Sequence, residues 1–326
     1  MAHVFITRQI AGKAVALIEA AGHSVEVFPA ERPPSPAELG AALERSDAAL
    51  TMVTDRIDAD MLAAASRLRV IANLAVGYDN VDPRVAADAG VWLTNTPGVI
   101  AETTADLAFA LLLAAARNVV ASDRDTRAGG WEAWSPTAFL GVDVHGATIG
   151  IVGMGEIGSA MARRAAGFGM RVLYYQRSHD PDFEARHGYT YVSLQELLEQ
   201  SDFVSLHVPL TPQTRGLIGA LELGLMKPTA ILINTARGLV VDQEDLIAAL
   251  RDGGIAGAAL DVTDPEPLPL DSELYTFPNV VITPHIASAS LATRSRMAHM
   301  AAENIIAVLA GEPPLNPVNQ PATPRS

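Results

Sequence analysis

Short apolar runs alternate with amphipathic segments along almost the whole chain. In the first third, residues 3–7, 24–28, 48–53, 69–74 and 91–94 read as strands, and residues 10–21 and 36–45 between them carry apolar positions at helical spacing. Strands alternating with helices predict a parallel sheet covered by helices. Asp82-Pro83 sets an N-cap residue before a first-turn proline, the preferred order for a helix start. Residues 29–36 (PAERPPSP) read as a proline-rich loop. The pattern breaks at Thr94-Asn95-Thr96-Pro97-Gly98, which we read as a crossing into a second unit.

That second unit opens with a long helix over 100–117. Its second half is apolar all round, which predicts burial by a domain or subunit interface. Residues 123–140 follow as a connecting segment carrying Trp131 and Trp134. Strands are expected at 148–152, 171–175, 203–207, 230–234, 257–262 and 280–283, with helices at 193–200 and 242–251. A final helix over 288–310 follows a second crossing, back to the first unit.

The sharpest local signal lies in residues 147–178. The buried-strand run Thr148-Ile149-Gly150-Ile151-Val152 leads directly into Gly153-x-Gly155-x-x-Gly158. Ile157, Met161 and Ala165 then recur at helical spacing before the strand-like Arg171-Val172-Leu173-Tyr174-Tyr175. Strand, glycine turn, helix and strand in this order form the context of a dinucleotide-binding turn. Gly153 permits the tight turn, Gly155 lets backbone approach a pyrophosphate, and Gly158 lets helix pack on strand. Glu156 and Ile157 start the helix whose N–H groups and dipole would face the phosphates. A tight turn that binds nothing is the competing reading of the glycines alone. The expected fold class is α/β: two Rossmann-like domains with parallel sheets and a cleft between them. One is a flavodoxin-like domain of residues 1–98 plus 288–326, and the other a dinucleotide-binding domain of residues 99–287.

Composition narrows the partners. The 326 residues are 49% hydrophobic and 18% charged, as in well-packed globular chains. A formal net charge of −14 argues against nucleic acid or an anionic membrane as a partner, since both need a cationic footprint. The longest apolar run, residues 107–116, is too short to span a bilayer, and the first residues carry no signal-peptide pattern, so a cytoplasmic location is expected. With no cysteine, disulfides, thiolate catalysis and cysteine-based metal sites are excluded. No histidine–carboxylate cluster has metal-ligand spacing, so no metal is expected.

Polar residues gather after three later strands: Asn234-Thr235-Ala236-Arg237-Gly238, Asp261-Val262-Thr263-Asp264-Pro265-Glu266-Pro267, and Thr283-Pro284-His285-Ile286-Ala287-Ser288. Open α/β sheets bind ligands at such strand ends. Taken singly, Arg237 reads equally as a surface arginine, Glu266 as a loop carboxylate and His285 as a structural histidine. Together, ILINTARGLVVDQEDLIAAL, GAALDVTDPEPLP and NVVITPHIAS resemble the D-isomer-specific 2-hydroxyacid dehydrogenases. VIANLAVGYDNVD and GVWLTNTPGVIAETTADLAFALLLAAAR resemble that family's substrate domain. The resemblance covers nearly the whole chain and is strongest to the glyoxylate/hydroxypyruvate reductases.

The resemblance implies reduction of a small 2-oxo acid by a nicotinamide cofactor. Arg237 would grip the substrate carboxylate and polarise its ketone, which suits a planar guanidinium. His285 would be the general acid, and Glu266 would orient the imidazole and favour its charged form. Asp261 would contact the nicotinamide carboxamide. Backbone groups of Ala75, Val76 and Gly77 would anchor the substrate, with Trp134 of a partner subunit helping to close the pocket. Thr103 would face the cofactor phosphates, Val208 and Pro209 its ribose, and Thr235 its nicotinamide. A homodimer is expected from the family and from the apolar helix.

An NAD-selective site places Asp or Glu about 20 residues after the glycines, at the end of the second strand. Here that strand end reads Gln176-Arg177-Ser178, with glutamine where the acid belongs and a cation and a hydroxyl for a 2′-phosphate. NADP(H) is therefore favoured over NAD(H). The alternatives are another dehydrogenase of the family, acting on phosphoglycerate or a bulkier 2-oxo acid, and a nucleotide-sensing, corepressor-like binding protein.

Overall fold

The structure, a computed structural model, describes residues 1–325. The chain divides into two compact units, Met1–Ile100 with Ser288–Ser326, and Ala101–Ala287. The crossings thus fall at Ile100/Ala101, just beyond the Pro97-Gly98 break, and at Ala287/Ser288.

The first unit runs β1 (His3–Ile6), α1 (Ala14–Ala20), β2 (Ser24–Val27), α2 (Pro36–Glu44), β3 (Ala48–Thr51), α3 (Ala59–Ala64), β4 (Val70–Asn73), α4 (Pro83–Asp88) and β5 (Trp92–Thr94). Its strands form a parallel sheet in the order β2-β1-β3-β4-β5, the flavodoxin-like arrangement. Alternation along each strand decides which layer it feeds. Phe5, Ala49, Ile71 and Leu93 pack against Leu39 and Leu43 of α2, Leu62 of α3 and Ala86 of α4. Val4, Ile6, Leu50 and Val70 face the other way, onto Ile18 of α1 and a C-terminal helix described below. Helix starts are chemically marked: Ser35 and Glu38 form a capping box, and the Asp82 carboxylate accepts the Arg84 N–H.

The second unit runs α5 (Ala101–Ala116), α6 (Val119–Arg127), β6 (Thr148–Val152), α7 (Glu156–Gly167), β7 (Arg171–Tyr175), α8 (Pro181–His187), β8 (Thr190–Tyr191), α9 (Leu194–Gln200), β9 (Phe203–Leu206), α10 (Ala220–Leu225), β10 (Ile231–Asn234), α11 (Gln243–Arg251), β11 (Gly257–Leu260) and β12 (Val280–Ile282). The chain then returns to the first unit as α12 (Leu291–Leu309), whose Ala298, Ala302 and Ile305 complete the α1 layer. The seven strands of the second unit are parallel, in the order β12-β11-β10-β9-β6-β7-β8. Successive strands therefore run outward from β6 on one side and then from β9 on the other, a doubly wound sheet whose switch point lies between β6 and β9.

Two expectations are corrected here. The buried face of α5 (Ala105, Ala108, Phe109, Leu111, Leu112) lies in the core of its own unit with Ile149, Ile151, Met161 and Ile233. Its apolar character therefore serves the sheet and α7, and Ala110 on the outer side is exposed. Residues 123–140 are not all connector, because α6 occupies Val119–Arg127. Beyond it, residues 128–143 are exposed throughout, Trp131 and Trp134 included. Among the described residues no single helix is long and apolar enough to cross a membrane.

Candidate active site

β6 ends at Val152 and the chain turns into α7 through Gly153, Met154 and Gly155. Gly153 sits at φ 98°, and a Cβ there would stand 2.7 Å from the His207 carbonyl oxygen. A Cβ on Gly158 would lie 2.0 Å from the Gly153 carbonyl oxygen. Both positions need glycine for the fold itself. Gly155 is different: a Cβ on it would meet nothing within 4 Å. It is also the N-cap of α7 with no side-chain cap, and the first helical bond runs from Ser159 N–H to the Gly155 carbonyl at 2.8 Å. The N–H groups of Glu156, Ile157 and Gly158 therefore start a twelve-residue helix with no intrahelical acceptor. Open space over an uncapped helix N-terminus suits a pyrophosphate.

The strands on either side of β6 complete this rim. At the end of β7, Gln176 is half-buried and Arg177 and Ser178 are exposed. The next acid, Asp180, is committed to capping α8, where it accepts the Phe183 N–H at 3.0 Å. At the end of β9, the His207 N–H donates to the Val152 carbonyl at 2.8 Å, and its Nε2 lies 2.9 Å from the buried Ser205 hydroxyl. Burial lowers the His207 pKa to about 4, so the ring is neutral near pH 7. Val208 is half-buried and Pro209 exposed. Beyond β10, Thr235 is buried with a hydroxyl that has no partner among the described residues, as has Thr104 in the first turns of α5. Such orphaned groups are uncommon in folded chains and suit a ligand that supplies the missing bond. Thr103, beside Thr104, is half-buried. The residues present therefore fit a dinucleotide.

Three adjacent strands carry the expected reactive groups at their C-terminal ends. After β10, Asn234 ties the turn: its Oδ1 accepts the Ala236 N–H at 3.0 Å and its Nδ2 donates to the Arg237 carbonyl at 2.9 Å. Arg237 is half-buried, and its Nη1 donates to the Ala236 carbonyl at 2.8 Å. After β11 come Asp261 and Glu266; after β12 comes His285. His285 Nδ1 lies 2.6 Å from Glu266 Oε1, with both side chains about 30% exposed, at 29% and 31%. Glu266 thus takes Nδ1 and leaves Nε2 as the outer ring nitrogen.

Asp261 carries a structural task that residue type did not announce. It is 1% exposed, and Thr283 donates to its Oδ1 at 2.6 Å, as does Ile286 N–H at 2.8 Å. Ala287 N–H donates to Oδ2 at 2.8 Å. Both carboxylate oxygens are therefore engaged by the loop that carries His285. Burial raises the Asp261 pKa, opposed by these hydrogen bonds from Thr283, Ile286 and Ala287 and by the charge of His285. Residue types alone assign no role to Asn234, Thr283 or the Ser205–His207 pair. Only the asparagine at a strand end carried a usable signal, that of an Asx turn.

The predicted substrate loop, Ala75 to Gly77, belongs to the first unit, where it follows β4 and is half-buried. Trp134 is 82% exposed on the arm after α6. Among the described residues no group of three or more His, Asp or Glu side chains could hold a metal ion.

Residues 109–287 match the family model for the D-isomer specific 2-hydroxyacid dehydrogenase NAD binding domain. The chain belongs to the D-isomer specific 2-hydroxyacid dehydrogenases. It is an oxidoreductase of that family, and its cofactor is a nicotinamide dinucleotide. The dehydrogenase is 54% identical over 318 residues to a glyoxylate reductase of Korarchaeum cryptofilum, covering 97% of this chain and 96% of the relative. It is 49% identical over 321 residues to a glyoxylate reductase of Thermococcus litoralis, with the same two coverages. Among solved structures, a protein from Thermus thermophilus superposes with a TM-score of 0.91 at 50% identity, covering 97% of this chain and 99% of that one. The NADPH-dependent glyoxylate/hydroxypyruvate reductase of Sinorhizobium meliloti, in complex with NADP and malonate, gives 0.86 at 32% identity, covering 100% and 99%.

Proposed function

We propose that this dehydrogenase reduces glyoxylate or hydroxypyruvate to the corresponding 2-hydroxy acid, glycolate or D-glycerate, with NADP(H) preferred over NAD(H). The observation that carries the proposal is the Glu266–His285 pair, 2.6 Å apart, one strand from the turn that bears Arg237. When bound, the dinucleotide supplies the hydride. Gly153, Gly155, Glu156, Ile157 and Gly158 hold its pyrophosphate. Thr103 serves its phosphates, Val208 and Pro209 its ribose, and Thr235 and Asp261 its nicotinamide end.

The protein's own groups do the rest. Arg237 binds the substrate carboxylate and draws electron density toward the keto oxygen, so the carbonyl carbon becomes more electrophilic. His285 Nε2 gives its proton to the alkoxide oxygen as that oxygen forms, while Glu266 stabilises the imidazolium before transfer and fixes its tautomer after. Ala75, Val76 and Gly77 anchor the substrate carboxylate through main-chain groups. Preference for NADP(H) is supported by Gln176, which puts no charge against a 2′-phosphate, and by Arg177 and Ser178, both exposed and able to bind one.

A homodimer is part of the proposal. Exposed Val119, Val120, Trp131, Trp134 and Leu140 put large apolar groups on α6 and the arm after it, a run that a second copy would cover. Trp134 of that second copy would close the substrate pocket.

The test is cofactor oxidation, followed by absorbance, with purified protein, NADPH or NADH, and a panel of 2-oxo acids. Glyoxylate and hydroxypyruvate are expected to react fastest. Faster turnover of phosphohydroxypyruvate or a bulkier acid would move the substrate assignment. Cofactor binding without oxidation by any acid would make the protein a nucleotide-sensing binding module.

A further inference from the structure

Three consecutive carbonyls in the loop after β4 are tethered from within the first unit. The Ala75 carbonyl accepts the Thr96 N–H at 2.9 Å, the Val76 carbonyl accepts Asn95 Nδ2 at 2.8 Å, and the Gly77 carbonyl accepts Asn73 Nδ2 at 2.8 Å. In a trans peptide the C=O of one residue and the N–H of the next point in opposite directions. Fixing these carbonyls therefore turns the N–H groups of Val76, Gly77 and Tyr78 away from the tethers. Among the described residues none of those three N–H groups finds an acceptor, although the N–H of Leu74, just before them, donates to the Thr51 carbonyl at 2.7 Å. Successive free N–H groups on one short loop make an anion-binding concavity.

The tethers belong to a buried network whose amide orientations are settled. Asn80 Nδ2 donates to the Met52 and Asp55 carbonyls at 3.1 and 2.9 Å, so Asn80 Oδ1 faces Asn73 and accepts its Nδ2 at 3.2 Å. The Thr51 hydroxyl donates to Asn73 Oδ1 at 3.2 Å. Asn73, fully buried, can therefore present only its Nδ2 to the Gly77 carbonyl.

We infer that Asn73 and Asn95 are positioning residues that preset the Val76, Gly77 and Tyr78 N–H groups as the cradle for the substrate carboxylate. They act through the backbone and do not touch the substrate. The inference rests on the proposed 2-oxo acid reading, and it adds the groups that make the loop competent to bind an anion. Replacing either asparagine by the isosteric aspartate removes the donor and sets a carboxylate against the carbonyl it held. The peptide is then free to turn, and the aligned N–H group is lost.

The experiment compares wild type, Asn95→Asp and Asn73→Asp. It reads the KM and kcat for glyoxylate, the inhibition constant for oxamate, and the Kd for NADPH by fluorescence titration. The expected result in each variant is a rise of about tenfold in both KM and the oxamate constant, the loss of one hydrogen bond to a charged group. The kcat and the NADPH Kd are expected to stay near wild type, which general loosening of the fold would not allow. Asn95 is half-buried, so Asn95→Asp decides the matter alone if Asn73→Asp does not fold. Folded variants with wild-type KM and oxamate binding would overturn the inference, as would a parallel rise in the NADPH Kd. A wild type that neither reduces a 2-oxo acid nor binds oxamate would instead overturn the functional reading beneath it.

Discussion

Asp261 holds His285 from behind: its main-chain carbonyl accepts the His285 N–H at 2.9 Å, while its side chain takes the two N–H groups that follow. His285 itself is at φ 54°, the left-handed region that residues other than glycine rarely occupy. The proposed general acid is thus set in a strained turn that a buried carboxylate over-determines, a form of pre-organisation seen at functional sites.

Asp261→Asn tests this clamp. An amide nitrogen cannot accept the Ala287 or Ile286 N–H, so one of those bonds is lost and the turn loosens. We expect a drop of about 10²-fold in kcat, the scale of a misplaced catalytic group. Stability should fall by about 1–3 kcal/mol, the cost of an unpaired buried group. Steady-state kinetics and urea unfolding read the two effects, and an unchanged kcat would show that His285 holds its place without Asp261.

Two glycines in the same turn should separate ligand binding from folding. Gly158→Ala forces a methyl against the Gly153 carbonyl and should unfold or strongly destabilise the second unit. Gly155→Ala places its methyl in open space, so the melting temperature should stay near wild type while the cofactor Kd rises by at least about tenfold. A Gly155→Ala protein that binds the dinucleotide normally would remove the pyrophosphate from that face.

Cofactor choice is expected to depend on Arg177. Arg177→Ala should lower the NADPH-to-NADH ratio of kcat/KM by about 10- to 100-fold, the worth of one hydrogen bond to a charged phosphate. The loss should fall on NADPH alone. A ratio that does not move would sink the assignment of Arg177 to the 2′-phosphate.

His207 makes acid sensitivity measurable. Its pKa is about 4 in the folded chain against an ordinary 6.5, so the unfolded chain binds the extra proton between those values. Stability should therefore fall as pH drops from 6.5 to 4, by at most about 3 kcal/mol from this residue. His207→Gln removes that component, and urea unfolding at about pH 7 and about pH 4.5 should show a smaller acid loss in the variant. Equal losses in the two proteins would place the sensitivity elsewhere.

Strand and helix positions were legible in the sequence because period and capping are local. The apolar run of residues 171–175 coincides with β7 to the residue, and Asp82-Pro83 marks the start of α4. The two-residue β8 and the short α8 and α10 left no such trace, since they span too few residues to show a period. The all-apolar half of α5 does not announce its partner for another reason. Hydrophobicity tells that a face is covered, and only packing tells by what.

The chain by itself determined the α/β class and the glycine turn, because period and short-range order are enough to name these features, whereas Arg237, Glu266 and His285 stood out only through the family resemblance of the segments that carry them. Tertiary structure alone decided how those groups are held. It brought Glu266 to 2.6 Å from His285 across 19 residues, and it turned Asp261 into the clamp of the His285 loop. It also set Asn73 and Asn95 behind the carbonyls of residues 77 and 76. Such contacts join chain segments that lie side by side only after the parallel strands have aligned their C-terminal ends, and no local pattern encodes that proximity.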